Sequence, residues 1–317
     1  MRTEFEFIDH IKKIHGLSRI GDDCAVLPKD AENDLVITVD MLVEGIDFRL
    51  DWADAESLGH KALAVSLSDI AAMGATPSWA MLSVGVTQKV WNSDFLEAFY
   101  RGWHQLAAKY GVQLVGGDVS KVPSDLVVDS IVAGEVAAGR AVLRSGAAPG
   151  DFIYVSGELG GAAAGLKLLE QGPRTVGDEA DSLNRLIGLQ LRPNPQIELG
   201  KFLSQDQIAS AMIDVSDGLA ADLGHICEAS GVGAELHLIP YDPEITEYFS
   251  TTESEGFALY GGEDFELLFT VPPHKVSEIR GFDSIRIGTI TDERSKIELF
   301  RDNTRTAIPI KGFQHFS

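Results

Sequence analysis

The stretch "KALAVSLSDIAAMGATP", residues 61–77, sets the hardest condition on the fold. It is rich in Ala and Leu, and Asp54 before it and Gly74 within it mark the ends of a helix over about 55–73. A helix this apolar belongs in a core. Yet it carries Asp69 in its last turns, where the helix dipole disfavours an anion. A buried carboxylate without a partner is costly. The fold must therefore bring compensation to Asp69, from Lys61, from an arginine or from a bound cation. Asp69 also breaks the apolar run, and no run in the chain approaches the ~20 residues of a membrane span.

The same problem recurs. Asp22 and Asp23 precede the apolar "CAVLP", Asp40 ends "LVITVD", Asp118 ends "VQLVGGD", and Asp214 and Asp217 flank Ser216 in "IDVSDG". Taken singly, such residues are commonly turn or cap residues, and Ser216 or Asp217 suits the N-cap of the helix that follows. Taken together they need more positive charge than the neighbouring sequence holds. Hard divalent cations with oxygen ligands supply it economically. Magnesium is the first choice, because it usually joins one or two carboxylates to substrate phosphates. The whole chain is acidic as well, with 48 acidic and 26 basic residues and a net charge of −22. Such a surface repels nucleic acid and anionic lipid, so neither is expected as a partner. An anionic nucleotide can still bind through metals.

The 317 residues, 44% hydrophobic, suffice for two domains. Thr3 and Glu6 have capping-box spacing, and Phe7, Ile8, Ile11 and Ile14 place a helix over 4–15. "CAVLP", "DLVITVD", "WAMLSVGV", "VQLVGGD" and "LVVDSIVAGEV" read as strands, with a helix over 92–110 between the third and fourth. "RSGAAPGD", residues 144–151, breaks the pattern, which places the domains at 1–145 and 146–317. Beyond it, "DFIYVSG" reads as a strand, "GGAAAGLKLLE" as a helix and "QGPRTVGDEADS" as a loop. "IDVSDG" leads into a helix, "ALYGGEDFELLFTV" runs from loop to strand, and "IRIGTIT" is a late strand. Loose alternation in both halves argues α/β or α+β.

Familiar site motifs are absent. GxxxxGK[ST] does not occur, and the glycines of "GELGGAAAG" fit a turn and tight helix packing better than a phosphate loop. "DVSDG" lacks the EF-hand's alternating acids. Two cysteines, Cys24 and Cys227, form no disulfide framework, and the N-terminal stretch lacks a signal peptide's apolar centre. A cytoplasmic setting is the expectation.

With these motifs assembled, the sequence resembles the thiamine-monophosphate kinases, in the superfamily of aminoimidazole ribonucleotide synthetase, selenophosphate synthetase and a hydrogenase maturation factor. The resemblance runs nearly end to end through "GDDCAVL", "TVDMLVEG", "KALAVSLSDIAAMGATP", "QLVGGD", "GRAVLRSGAAPGD", "LRPNPQ", "IDVSDGLAADLGHI", "GGEDFELLF" and "KGFQHF". It implies a two-domain fold whose N-terminal sheets close a barrel across a homodimer. It implies transfer of the ATP γ-phosphoryl group to thiamine monophosphate, with several magnesium ions. By motif position it makes Asp23, Thr38, Asp40, Asp69, Asp118, Asp214 and Asp217 metal ligands, with Asp22 a further candidate. Gly117, Asp118, Arg144, Ser216 and Tyr100 would meet the nucleotide, and Asp69, Asp118 and Arg144 would serve catalysis. Asp47, Glu263 and Phe313 would meet the thiamine substrate. At position 47 the family often carries His in "EGxHF", where this chain reads "EGIDF".

The chemistry agrees with these residue types. An acceptor phosphate oxygen is already anionic near neutral pH and needs no general base. The obstacle is bringing two anions together. An acidic pocket with an aromatic wall suits a cationic thiazolium. Two alternatives remain: another ATP-dependent synthetase of the superfamily, and a non-catalytic nucleotide or cation binder.

Overall fold

The computed structural model describes residues 4–17, 19–172, 180–279 and 281–313. The chain opens with helix α1 (Glu4–His15), matching the expected span; Thr3 of the expected capping box lies outside the described residues. Five strands then build a first sheet: β1 (Ala25–Pro28), β2 (Asn33–Val43), β3 (Thr76–Val86), β4 (Gln113–Lys121) and β5 (Val127–Ala137), in the order β1-β2-β5-β3-β4. All neighbours are antiparallel except β3 and β4. Between them lie α2 (Ala55–Ala72), the short α3 (Gln88–Trp91) and α4 (Phe95–Tyr110).

The second half contains β6 (Phe152–Val155), α5 (Gly161–Glu170), α6 (Ala180–Leu191), α7 (Ile197–Gln205), β7 (Ala211–Asp214), α8 (Leu219–Ser230), β8 (Gly233–Leu236) and α9 (Thr251–Tyr260). It closes with β9 (Leu267–Val271), β10 (Ile285–Thr291), β11 (Ile297–Arg301) and β12 (Thr304–Ala307). These strands form a mixed seven-stranded sheet, β12-β11-β8-β10-β6-β9-β7. The "QGPRTVGDEADS" stretch was expected to be a loop; its last residues belong to α6, and 173–179 lie outside the described residues.

Helix α2 is the organising element. The Asp54 side chain caps it, accepting from Ser57 N at 2.9 Å, and Gly74 turns the chain away at φ +69°. Fourteen of its eighteen residues are buried, as its near-uniform apolarity requires. It contacts α4, α7, β2, β5 and β7, so both halves of the molecule meet on it. The largest core cluster follows suit, running from Leu63 and Leu67 through Trp103 to Leu203, Met212 and Phe269. The close approaches need glycine. A Cβ on Gly59 would lie 1.9 Å from Phe99 O, one on Gly102 1.9 Å from Glu56 O, and one on Gly200 2.1 Å from Ala71 O.

Strand parity fixes what each face of the first sheet presents. On β2, Val36, Thr38 and Leu42 are buried under α2, while Val39 and Met41 are exposed. Register carries this row across the sheet from exposed Val39 through half-buried Ile131 to exposed Met81, leaving a partly open apolar face.

Gly59→Ala and Gly102→Ala should each lower stability by about 3 kcal/mol, because the added methyl meets backbone and not a side chain that can yield. Urea denaturation measures it. A loss under about 0.5 kcal/mol would mean the two helices part easily.

Candidate active site

Helix α2 turns three side chains toward acids on other elements. Ser66 and Asp69, three residues apart, share a face toward β2. Ser66 Oγ donates to Asp40 Oδ2 at 2.7 Å, and Thr38 Oγ1 donates to Asp69 Oδ2. Ser68 points elsewhere, and its Oγ donates to Asp214 Oδ2, at the end of β7, at 2.6 Å. The fourth acid comes from the loop before β1. Arg144 Nη2 reaches Asp23 Oδ1 at 2.5 Å and Nε at 3.1 Å, while Arg144 N donates to Asp22 Oδ1 at 2.8 Å. Met212 N donates to Leu143 O at 3.0 Å, which ties the Arg144 loop to the strand bearing Asp214.

Asp23, Asp69 and Asp214 thereby offer oxygens within 4.8 Å of one another. Their electrostatics record the crowding. Burial pushes the Asp69 carboxyl well above the usual range, and the charges of Asp40, Asp214 and Asp23 push it further. Burial also raises Asp214 to about 7, with Asp23 adding to it, and Asp40 to about 6 despite the bond from Ser66. Asp23 is raised by burial against the opposing pull of Arg144. Asp23 Oδ2 is buried with no hydrogen-bond partner. Clustered hard oxygens, high proton affinity and an unmet acceptor are what a magnesium-type cation satisfies, so these residues fit one.

A cavity of about 670 Å³ adjoins this cluster, with Asp40 in its wall. Its other polar lining includes Asp47, Lys61, Gln190, Ser216, Asp217 and Glu263, and Phe313 closes one side. Main-chain bonds join the segments: Glu263 N to Ser216 O at 2.9 Å and Phe313 N to Asp217 O at 3.2 Å. Glu263 is left-handed at φ +68°, a conformation few side-chain-bearing residues adopt. Its Oε1 pairs with the buried Lys61 Nζ at 2.7 Å, and its Oε2 accepts from Gln190 Nε2. Asp47 Oδ2 accepts from Val43 N at 2.7 Å and so closes the turn after β2.

Several sequence-derived candidates lie elsewhere. Lys61 was one cation expected near Asp69; eight residues along a helix is a rise of about 12 Å, and it neutralises Glu263 instead. Asp118 sits on the exposed edge strand β4, paired with Ser83. Register carries Asp40 to Ser130, Leu82 and Gly117, but carries Met41 to Asp129, Ser83 and Asp118. Strand parity thus puts Asp118 on the sheet face opposite Asp40. Gly117 has a local reason for being glycine: at φ +152°, a Cβ would meet Leu82 O at 1.9 Å. Tyr100 lies on α4 at the edge of Phe99, with ring centroids 5.6 Å apart. Asp217 joins a second group with Asp222 and His225. There Asp222 Oδ2 takes the N–H groups of Asp217 and Gly218, and Gly218, not Ser216 or Asp217, is the N-cap of α8. Sequence reasoning missed Ser66, Ser68 and Gln190. Two serines beside Asp69 in a buried helix were the available signal for the first two.

The raised carboxyls set a pH dependence. Asp40 and Asp214 hold protons in the folded state up to about 6 and about 7, and ordinary carboxyls lose them near 4. Metal-free stability should therefore fall as pH rises from about 4 through about 7. Magnesium competes with those protons, so its effect on melting temperature should be small near pH 5 and large near pH 8. Asp69→Asn should raise the melting temperature without magnesium and abolish the magnesium effect. Thermal melts with and without magnesium chloride read both, and an equal magnesium shift at both pH values would contradict the assignment.

Comparison with known proteins agrees with this geometry. The AIR synthase related protein N-terminal domain matches residues 21–136, and its C-terminal domain matches 148–299. The thiamine-monophosphate kinase of Salmonella typhimurium is 40% identical over 306 residues, covering 94% of this chain and 91% of that protein. That of Bacillus subtilis is 36% identical, covering 99% of both. The solved structure of AaThiL complexed with AMPPCP and TMP has a TM-score of 0.88 at 33% identity, covering 99% of this chain and 97% of that one. With carboxylates gathered from both halves and likeness along nearly its whole length, the chain belongs to the thiamine-monophosphate kinase family, built from the two AIR synthase related domains.

Proposed function

We infer that this protein transfers the γ-phosphoryl group of ATP to thiamine monophosphate, yielding thiamine diphosphate. The observation that carries the reading is the convergence of Asp23, Asp69 and Asp214 beside a cavity walled by Glu263 and Phe313. Family membership supports it, as does a relative holding AMPPCP and TMP together, a nucleotide analogue beside an acceptor.

The difficulty of the reaction is electrostatic. Two unit charges 4 Å apart repel by about 4 kcal/mol at an effective dielectric near 20, and several such pairs meet when ATP approaches a second phosphate. Magnesium held by Asp23, Thr38, Asp40, Asp69, Asp214 and Asp217 would supply charge neutralisation at the phosphoryl oxygens. The chain's own residues supply the rest. Arg144, anchored on Asp23, presents a guanidinium to phosphate oxygens, with Ser216 nearby. Glu263 and Phe313 hold the cationic thiazolium against a carboxylate and an aromatic face. Asp47 shapes the turn above them through Val43 N. The acceptor oxygen attacks in line, with no phosphoenzyme, because it needs alignment and not a base.

Gly117, Asp118 and Tyr100 enter the proposal on the resemblance alone. Residues 1–145 are the unit proposed for nucleotide, metal and dimer contacts, and 146–317 the unit adding metal and thiamine contacts. The open row of Val39, Ile131 and Met81 supports a homodimer through the first sheet. No described helix is long and apolar enough to cross a membrane; cytoplasmic residence belongs to the proposal.

Protein, ATP, magnesium and thiamine monophosphate should yield thiamine diphosphate by chromatography; no product would overturn the kinase reading, and nucleotide binding without turnover would favour a binding protein. Asp69→Asn should remove turnover with the fold retained by circular dichroism, and activity within a fewfold of wild type would exclude Asp69 as a ligand. Phe313→Ala should raise KM for thiamine monophosphate at least about tenfold while leaving that for ATP within about twofold, roughly the loss of one aromatic contact; equal effects would make Phe313 a packing residue. Met41→Glu should shift sedimentation from dimer to monomer.

A further inference from the structure

The bend that presents Glu263 is anchored by a side chain that does not line the cavity. Glu263 and Phe265 both line it, and Asp264 between them does not. Glu263 stands at φ +68° and Phe265 at φ +52°. Left-handed backbone is uncommon for any residue with a side chain, and rarer still for a bulky one. Two such residues, one position apart, persist only where the surroundings over-determine them. Main-chain bonds supply part of that hold. Glu263 N donates to Ser216 O at 2.9 Å, and Phe265 N donates to Val215 O at 2.9 Å.

Asp264 supplies another part. Its carboxylate reaches the start of α5, in a distant part of the chain. Gly160 N donates to Oδ2 at 2.7 Å, and Ala162 N donates to Oδ1 at 3.2 Å. Gly160 is the N-cap of α5 and has no side chain of its own to accept such bonds. Asp264 therefore caps α5 from outside it. Each oxygen takes one N–H, which a carboxylate can do in full and an amide cannot. Helix α5 is itself a wall of the cavity, through Ala163, Leu166 and Leu169. One side chain thus ties that wall to the bend bearing Glu263. Lys61 and Gln190 hold the tip of Glu263, whereas Asp264 acts on its backbone.

We propose that Asp264 is a positioning residue of this cavity, fixing the left-handed bend against α5 and thereby the place of the Glu263 carboxylate around the thiamine moiety. The proposal rests on the cavity being the thiamine site. Asp264 acts through Glu263 and not by touching the ligand. A displacement of about 1 Å in a holding group is enough to lower binding or rate by an order of magnitude or more. The metal cluster is built on α2, β2, β7 and the loop before β1, so the nucleotide side should feel the change far less.

The test uses the full chain at pH 8, because burial raises the Asp264 carboxyl to about 7 and only the ionised form offers both oxygens purely as acceptors. Asp264→Ala should raise KM for thiamine monophosphate at least about tenfold and leave KM for ATP within about twofold. Asp264→Asn keeps one acceptor and turns an NH2 toward the second N–H, so its KM should fall between the two. In a Glu263→Gln background, Asp264→Ala should add less than about threefold, since it acts through that carboxylate. Ser250→Ala removes the capping box at the far end of α9 and should move neither KM, which controls for lost capping alone. Amide hydrogen exchange reads the bend without any ligand. Residues 261–266 should exchange at least about tenfold faster in Asp264→Ala and at the wild-type rate in Ser250→Ala. An unmoved KM for thiamine monophosphate, an equal rise for both substrates, or unchanged exchange at the bend would overturn the proposal. Should Asp264→Ala not fold, Asp264→Asn decides by the same two readouts, and wild-type values in both overturn it. If wild type forms no thiamine diphosphate, the kinase reading fails, and the exchange rates still decide whether Asp264 holds the bend.

Discussion

Like charges held out of water are the constraint on which this molecule turns. Four carboxylates, those of Asp23, Asp40, Asp69 and Asp214, gather around one end of α2, where burial raises the proton affinity of each and the charges of the others raise that of Asp69 and Asp214 further. Their protein partners are mostly hydroxyls: Thr38, Ser66 and Ser68. A hydroxyl satisfies a lone pair without cancelling a charge. Among the described residues Arg144 is the one guanidinium bonded within the group, and it serves Asp23. The cluster is therefore hydrogen-bonded yet short of positive charge, a state that favours a cationic ligand over any internal rearrangement.

The adjoining cavity follows the opposite rule. There a buried cation is present, and Glu263 neutralises it within the protein. Charge is balanced at that one pair and unbalanced at the cluster, with Asp40 on the border between cluster and cavity. One compartment is suited to drawing in metal-borne phosphate. The other is suited to reading the shape and hydrogen bonding of an organic ligand.

Much of this was legible in the sequence, and the gaps have physical causes. Asp54 and Gly74 bounded α2 correctly because caps are local. Acids at the mouths of apolar segments announced the cluster because a buried carboxylate needs company wherever it lies. Helix α9 was not expected, and its last residues, 258–260, fall in the stretch read as loop. Its apolar residues, Phe257, Ala258 and Leu259, crowd one end and give no helical period, although Ser250 and Glu253 form a capping box. The ion pair of Lys61 with Glu263 was invisible, since it depends on how two distant segments dock. The separation of Asp118 from Asp40 was equally hidden. Each residue ends an apolar strand, but only the register across β5 and β3 decides which side each faces.

The seating of α2 against both sheets limits how the molecule can move. One continuous core runs from this helix to β7 and β9, and glycine contacts lock α2 to α4 and α7. The two halves cannot swing apart like the covers of a book without tearing that core open. The rim of the cavity, the turn closed by Asp47 and the segment at Phe313 bonded to Asp217 O, lies outside that shared core. The floor of the site is an anvil shared by both halves of the molecule.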